Sequence, residues 1–238
     1  MERETLVVEM ECQKAVGTDA AGQRAIIDNI RDIANILNQA LIAEPVTHES
    51  PLYGLSAWGP LEKGAVHSYA WDHLHGKNPP FISIDVTTVA PMTDEQRDEI
   101  IRSTVELFEG VPESVVYKTS NNPDSTTWRE NAPHIIRQRI AIDGTTGSPI
   151  TAEFMSKYMI ELCQLLNMVQ LSDPLTIETK DGITAWVHWE TSGAHARYNK
   201  KNGEFTTDIY TCKSFDPHIA EDFTQKKMGL KNLSTQNY

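Results

Sequence analysis

The sequence predicts an α+β fold made of two diverged copies of one β-α-β-β-α unit, with mainly antiparallel sheets layered as an αββα sandwich. Three observations lead there. Strand-like and helix-like segments recur in the same order in both halves. The central strands of the halves align residue by residue. A polar, turn-forming run separates the halves.

The first half opens on a strand-like stretch, Thr5 to Met10. A helix follows over Gln23 to Ile42, where Ile26, Ile27, Ile30, Ile33, Ala34, Leu37 and Leu41 trace an apolar stripe close to the helical period. Gly54 to Trp58, Ala65 to Trp71 and Phe81 to Thr88 read as strands. Thr93-Asp94-Glu95-Gln96 has capping-box spacing, so a helix is expected from Thr93 to Phe108, its acidic start a solvated face. Asn121 to Thr127 is rich in turn formers and poor in apolar residues. The expected divisions are therefore a first, degenerate repeat over 1–120, a linker over 121–132 and a second repeat over 133–238.

The second half repeats the plan. Ile135 to Ile142 reads as a strand, and Thr151 caps a helix expected to reach Met168. Leu175 to Thr179, Gly182 to Trp189, Ala194 to Tyr198 and Phe205 to Cys212 follow as strands. Asp216-Pro217, a cap followed by proline at the first helical position, opens a helix to Met228. Gly54-Leu55-Ser56-Ala57-Trp58 aligns with Gly182-Ile183-Thr184-Ala185-Trp186. At the same offset Glu62 meets Glu190 and His67 meets His195. An insertion around Asp72 to Pro80 then brings Ile84 to Thr88 onto Thr207 to Thr211. Shared order and shared residues together imply duplication.

Composition narrows the function classes. A net charge of −12 argues against a nucleic-acid partner, which concentrated Lys and Arg would be needed to hold. No segment has the roughly 20 apolar residues of a membrane span, and with no basic segment followed by an apolar one after Met1-Glu2-Arg3-Glu4 a secretory leader is not expected. Cys12, Cys163 and Cys212 are odd in number and widely spaced. They suggest neither a disulfide framework nor a metal site, and fit a reducing cytoplasm. The partner expected is a small molecule, with self-association left open.

The densest reactive stretch is Glu190-Thr191-Ser192-Gly193-Ala194-His195-Ala196-Arg197, followed by Asp208-Ile209-Tyr210-Thr211-Cys212. Here the chain resembles the prokaryotic, pyruvoyl-dependent type of S-adenosylmethionine decarboxylase. Gly182-Ile183-Thr184 matches that family's glycine–hydrophobic–serine element, Thr191-Ser192 its cleavage pair, and Asp208 to Cys212 its last segment. The resemblance runs without a gap from Ser192 to Cys212 and covers most of 133–230. It implies a decarboxylase of polyamine synthesis that makes its own cofactor. The serine attacks the preceding carbonyl, the chain breaks, and a pyruvoyl group remains as the electron sink for decarboxylation. By that resemblance Ser192 becomes the pyruvoyl, Cys212 donates the proton that quenches the carbanion, and Thr184 supports processing. The substrate would be S-adenosylmethionine or another amino acid, with Glu190, Arg197 and Trp189 as candidate binding residues. The aromatic residues Trp186, Trp189 and Tyr198 suit a sulfonium or an adenine ring.

Two positions depart from the pattern. Thr191 stands where the family has glutamate, with Glu190 adjacent, and Arg197 stands where it has histidine, with His195 two residues earlier. Arginine cannot exchange protons near neutrality, so His195 is the candidate shuttle only if the strand is locally bulged, since on an ideal strand His195 and Arg197 share a face. These departures keep a second class open: an uncleaved relative that binds a ligand or regulates a partner, or uses S-adenosylmethionine in another reaction. Plainer structural readings also stand beside the functional ones. Ser192-Gly193 alone reads as a turn, Cys212 as a buried small hydrophobe, and His188 as a hydrogen-bonded histidine on an aromatic face. His67, Asp72, His73 and His75 read as a solvated loop rather than a metal site.

Overall fold

The computed structural model describes residues 3–13, 16–17, 19–50, 54–71, 79–119, 138–190, 192–211 and 213–237. The chain divides into two compact units, Met1–Pro133 and His134–Tyr238. The residues assigned to a linker, 121–132, lie outside the described residues. The α+β class is as expected: each unit is a six-stranded antiparallel sheet with two helices among the described residues.

In the first unit the order is β1 (Glu4–Cys12), α1 (Ala20–Ile36), β2 (Val46–Ser50), β3 (Gly54–Leu61), β4 (Gly64–Trp71), β5 (Phe81–Thr88), α2 (Asp94–Phe108) and β6 (Gly110–Thr119). The second follows as β7 (Gln138–Thr145), α3 (Ala152–Leu165), β8 (Leu175–Glu178), β9 (Gly182–Trp189), β10 (Ser192–Asn199), β11 (Glu204–Thr211), α4 (Pro217–Met228) and β12 (Lys231–Asn237). Each unit has four strands between its helices and one after the second; the four of the second unit are those expected, while β2 and the two final strands β6 and β12 are additions. The sheet orders β2-β3-β4-β5-β1-β6 and β8-β9-β10-β11-β7-β12 correspond strand for strand.

The duplication also holds at the level of register. Trp58 pairs with His67, and His67 with Asp85. Trp186 pairs with His195, and His195 with Asp208. One Trp–His–Asp row thus crosses the same three strands in both sheets. The five-residue shift between the two alignments falls in the β4–β5 connection, which is the longer of the pair.

Local chemistry sets the helix ends. Thr93 and Gln96 form the expected capping box at α2, Thr151 caps α3 by accepting from Phe154 N at 3.1 Å, and Asp216 caps α4 ahead of Pro217. Gly229 ends α4 at φ 62, a conformation that costs glycine little. The first helix is displaced from its expected span. Asp19 accepts from the amides of Ala21 and Gly22, so α1 starts before Gln23. It stops at Ile36, because Asn38 takes a positive φ of 52.

One face of each sheet is covered by its own two helices. In the first unit Leu6, Val8, Ile82 and Ile84 pack under Ile26, Ile30 and Ile33 of α1 and Ile100 of α2. In the second, Ile140, Ile142, Ile183 and Val187 pack under Met155, Tyr158, Met159 and Leu162 of α3. Side chains alternate along a strand, so the residues between these core positions share the opposite face. That face carries the polar and ionisable groups.

Candidate functional site

The helix-free face of the second sheet is laid out in three cross-strand rows. Thr184, Arg197, Thr206 and Asp143 form the first; Trp186, His195, Asp208 and Ala141 the second; His188, Gly193, Tyr210 and Arg139 the third. Directly paired residues present their side chains to the same face. Most of this surface is buried, including His195, Asp208, Arg139 and Tyr210, while Arg197 and Asp143 are half-buried.

Two interactions organise it. Arg139 and Asp208 form a bidentate ion pair, Nε to Oδ1 at 3.0 Å and Nη2 to Oδ2 at 2.5 Å. The planar guanidinium fork matches both carboxylate oxygens, which is how arginine is tolerated at 5% side-chain exposure. Beside it, the His195 ring stacks on Trp186 with centroids 5.6 Å apart and planes 25° off parallel. Tyr210 lies across Gly193 so closely that a Cβ there would stand 1.9 Å from its hydroxyl oxygen. Glycine at 193 is thus a packing requirement of this face, not a turn: Trp189 pairs with Ser192, which opens β10.

Ser192 belongs to the other face. It shares a row with Trp189 and Thr211, in register with the core positions Ala194 and Ile209. Its hydroxyl is 1% exposed with the residue and donates to Thr211 Oγ1 at 2.7 Å. The sheet therefore brings Thr184, His195 and Arg197 together and sets Ser192 across from them. Parity explains this: Ser192 is an odd number of positions from His195 and from Arg197 along β10.

The aromatic reading needs correction in the same terms. Trp189, proposed to contact substrate, is fully buried in the helix-side core, as is Tyr198 to within 6%. Only Trp186 of the three faces the polar side, because residues 186 and 189 differ in parity. Glu190 sits half-buried in the turn after β9, its amide donating to the Val169 carbonyl at 2.8 Å. Thr191 and Cys212 lie outside the described residues, as do Asp72, His73 and His75. His67 is not in a solvated loop: it is a buried member of β4, in the row equivalent to His195. His188 is buried on the polar face, where the aromatic Trp186 also stands.

Sequence reasoning alone missed Arg139 and Tyr210 as parts of this face, and Asp208 as an ion-pair acceptor. A signal existed for Asp208, since the two halves align it on Asp85. None existed for Arg139, whose counterpart in the first sheet is Thr5.

No protein-family model matches the chain, and no curated protein matches it. Among solved structures it is similar to the adenosylmethionine decarboxylase of Aquifex aeolicus VF5, at 18% identity over 44% of this chain and 89% of that one, with a TM-score of 0.37. It is also similar to a candidate chlorite dismutase, at 10% identity over 99% of this chain and 91% of that one, TM-score 0.31. A candidate monooxygenase from Fusobacterium nucleatum subsp. nucleatum gives 5% identity over 99% and 90%, TM-score 0.28. None of these similarities assigns the chain to a family. Among the described residues, no helix is long and apolar enough to cross a membrane.

Proposed function

We propose that the second unit is a self-processing, pyruvoyl-dependent decarboxylase resembling S-adenosylmethionine decarboxylase, cut between Thr191 and Ser192 and acting in polyamine synthesis. The observation that carries this reading is the seat of Ser192. It is the first residue of β10 after a two-residue connection, with its hydroxyl held by Thr211, the residue immediately before Cys212. A nucleophile at a hairpin end is next to the carbonyl it must attack, and burial keeps water from competing. The residue types fit a chain-derived pyruvoyl group, because a serine stands at the required position and its oxygen is already ordered. That group supplies an electron sink for loss of carbon dioxide from an amino-acid substrate. Thr184 takes the role of processing support and Arg197 that of a substrate-binding charge, both from the face opposite Ser192 Oγ. Cys212 is the donor to the carbanion.

A second reading is favoured by a different observation. His195, the candidate proton shuttle, and Thr184, the candidate for processing support, lie on the face away from Ser192 Oγ, and β10 pairs through His195 without a bulge. On this reading the chain stays whole and binds its ligand on the helix-free face of the second sheet, or regulates an active relative. Intact mass of the purified protein under denaturing conditions decides between them. Self-processing yields two fragments, 1–191 and 192–238, the second with a ketone terminus. A single species near 26.7 kDa after prolonged incubation sinks the decarboxylase and leaves binding.

A further inference from the structure

We infer that Thr211 is a positioning residue for chain cleavage, holding the Ser192 hydroxyl in the orientation from which it attacks. The inference rests on the self-processing reading. Thr211 Oγ1 accepts from Ser192 Oγ at 2.7 Å and also from the Lys213 amide at 2.8 Å, and its own proton is directed at Met168 Sδ, 3.9 Å away. Lys213 Nζ donates to the Asn167 carbonyl at 2.6 Å, which ties this strand end to the segment after α3. The acceptor is thus fixed from three sides.

The first unit shows what this position does where no nucleophile is present. Thr88 is the counterpart of Thr211, and the residue opposite it is Gly64 in place of Ser192. Thr88 Oγ1 likewise accepts from the amide two residues on, Ala90 N at 3.0 Å. Its second donor is a side-chain amide, Gln39 Nε2 at 2.8 Å. The bond to the following amide is therefore a turn feature common to both units. The second acceptor site is what differs, and in the second unit it takes the proton of a serine.

The chemistry gives that bond a role. Cleavage begins when a lone pair of Ser192 Oγ forms a bond to the carbonyl carbon of residue 191. The C–N bond then breaks, the hydroxyl proton ends on the Ser192 nitrogen, and an ester results. Loss of the Ser192 Cα proton with breakage of Cβ–Oγ releases the carboxylate of residue 191. Water then replaces the nitrogen, released as ammonia, and leaves the ketone. Thr211 is no base, since a hydroxyl does not take up a proton near neutrality. Its contribution is to engage the Oγ–H in a bond of its own, which fixes the hydroxyl and leaves the oxygen lone pairs available for attack.

The test compares the full-length wild type with Thr211→Val, Thr211→Ala and Thr211→Ser, and with Thr88→Val as the control for losing the shared turn bond. Cleavage is followed by intact mass against time, with and without hydroxylamine, which traps the ester as fragments 1–191 and 192–238. Wild type, Thr211→Ser and Thr88→Val should cleave at similar rates. Thr211→Val and Thr211→Ala should each be slower by about tenfold or more, and hydroxylamine should not restore them because the ester itself forms slowly. Wild-type cleavage matched within about twofold by Thr211→Val or Thr211→Ala overturns the role of Thr211 and leaves the decarboxylase standing. An equal slowing by Thr88→Val or by Thr211→Ser overturns it as well, by showing a structural effect. A wild type that stays whole even with hydroxylamine removes both the decarboxylase reading and this one.

Discussion

Asp208 and Arg139 set the electrostatics of the polar face, and their energetics follow from burial. Each side chain is at most 5% exposed, so neither charge can be solvated if its partner is removed. The attraction between them largely offsets the cost of taking both out of water, and truncating one leaves the other stranded. Asp208→Ala should therefore lower stability by about 3–5 kcal/mol in urea denaturation. Arg139→Met should cost a similar amount, because Asp208 is then the unpaired charge. The double variant Asp208→Ala/Arg139→Met should cost clearly less than the two together, since no charge remains to be satisfied. Strict additivity would mean that the pair is solvated and that His195 does not sit beside a fixed dipole. At the equivalent position of the first sheet Asp85 pairs with Val7, and Thr5 stands where the second unit has Arg139.

Between elements, α3 and α4 are joined through Tyr158. Its hydroxyl bonds with Thr224 Oγ1 at 2.9 Å, and its ring stacks on Phe223 and meets Phe205 edge-on. Burial pushes the phenol up from 10.0 to about 12, and hydrogen bonds to Thr207 and Thr224 pull it only part of the way back. The sign of the pH effect follows. Below about 10 both folded and unfolded chains keep the proton, and the full contribution is present. As pH rises from 10 toward 12 the unfolded chain ionises first, so the folded state loses stability through that window. Tyr158→Phe should cost about 1 kcal/mol at pH 8 through the lost bond. That deficit should shrink as pH approaches 11, because the variant lacks this titration. A deficit that stays constant in urea midpoints from pH 8 to 11 would place the phenol in solvent contact.

Elements were legible where local chemistry alone decides them. Capping residues marked three of the four helices, and β5 and β9 fall on their expected bounds. The missed strands β2, β6 and β12 are all sheet edges. An edge strand is covered less than a central one, so alternation fades: β2 has one fully buried residue, and Val111 and Val115 of β6 are exposed. Pro112 further disguises β6, and proline is tolerated there because an edge needs fewer ladder amides.

At the scale of the whole molecule, duplication was readable because it is written in residue identity, in Trp58/Trp186, His67/His195 and Asp85/Asp208. The site was readable only in part. The order of residues along β10 says that Ser192 and His195 are close, while the face each occupies depends on strand alternation from Ser192 onward. Duplication also leads to an expectation about stability. The helix-side core of the first unit is built from residues 6–108 and their packed neighbours, and that of the second from residues 140–230. Each is assembled entirely from its own unit. A defect placed deep in one should then be felt first by the strands around it. Ile142→Ala, at a position with no exposed surface under α3, should cost about 2–5 kcal/mol through lost burial and the cavity left behind. Native-state hydrogen exchange should show faster opening of amides in β7, β10 and β11, with those of β1, β4 and β5 unchanged. Ile84→Ala should produce the mirror pattern. Equal acceleration in both sheets from either variant would show that the two units open as one cooperative body, and that duplication was followed by fusion of their stability.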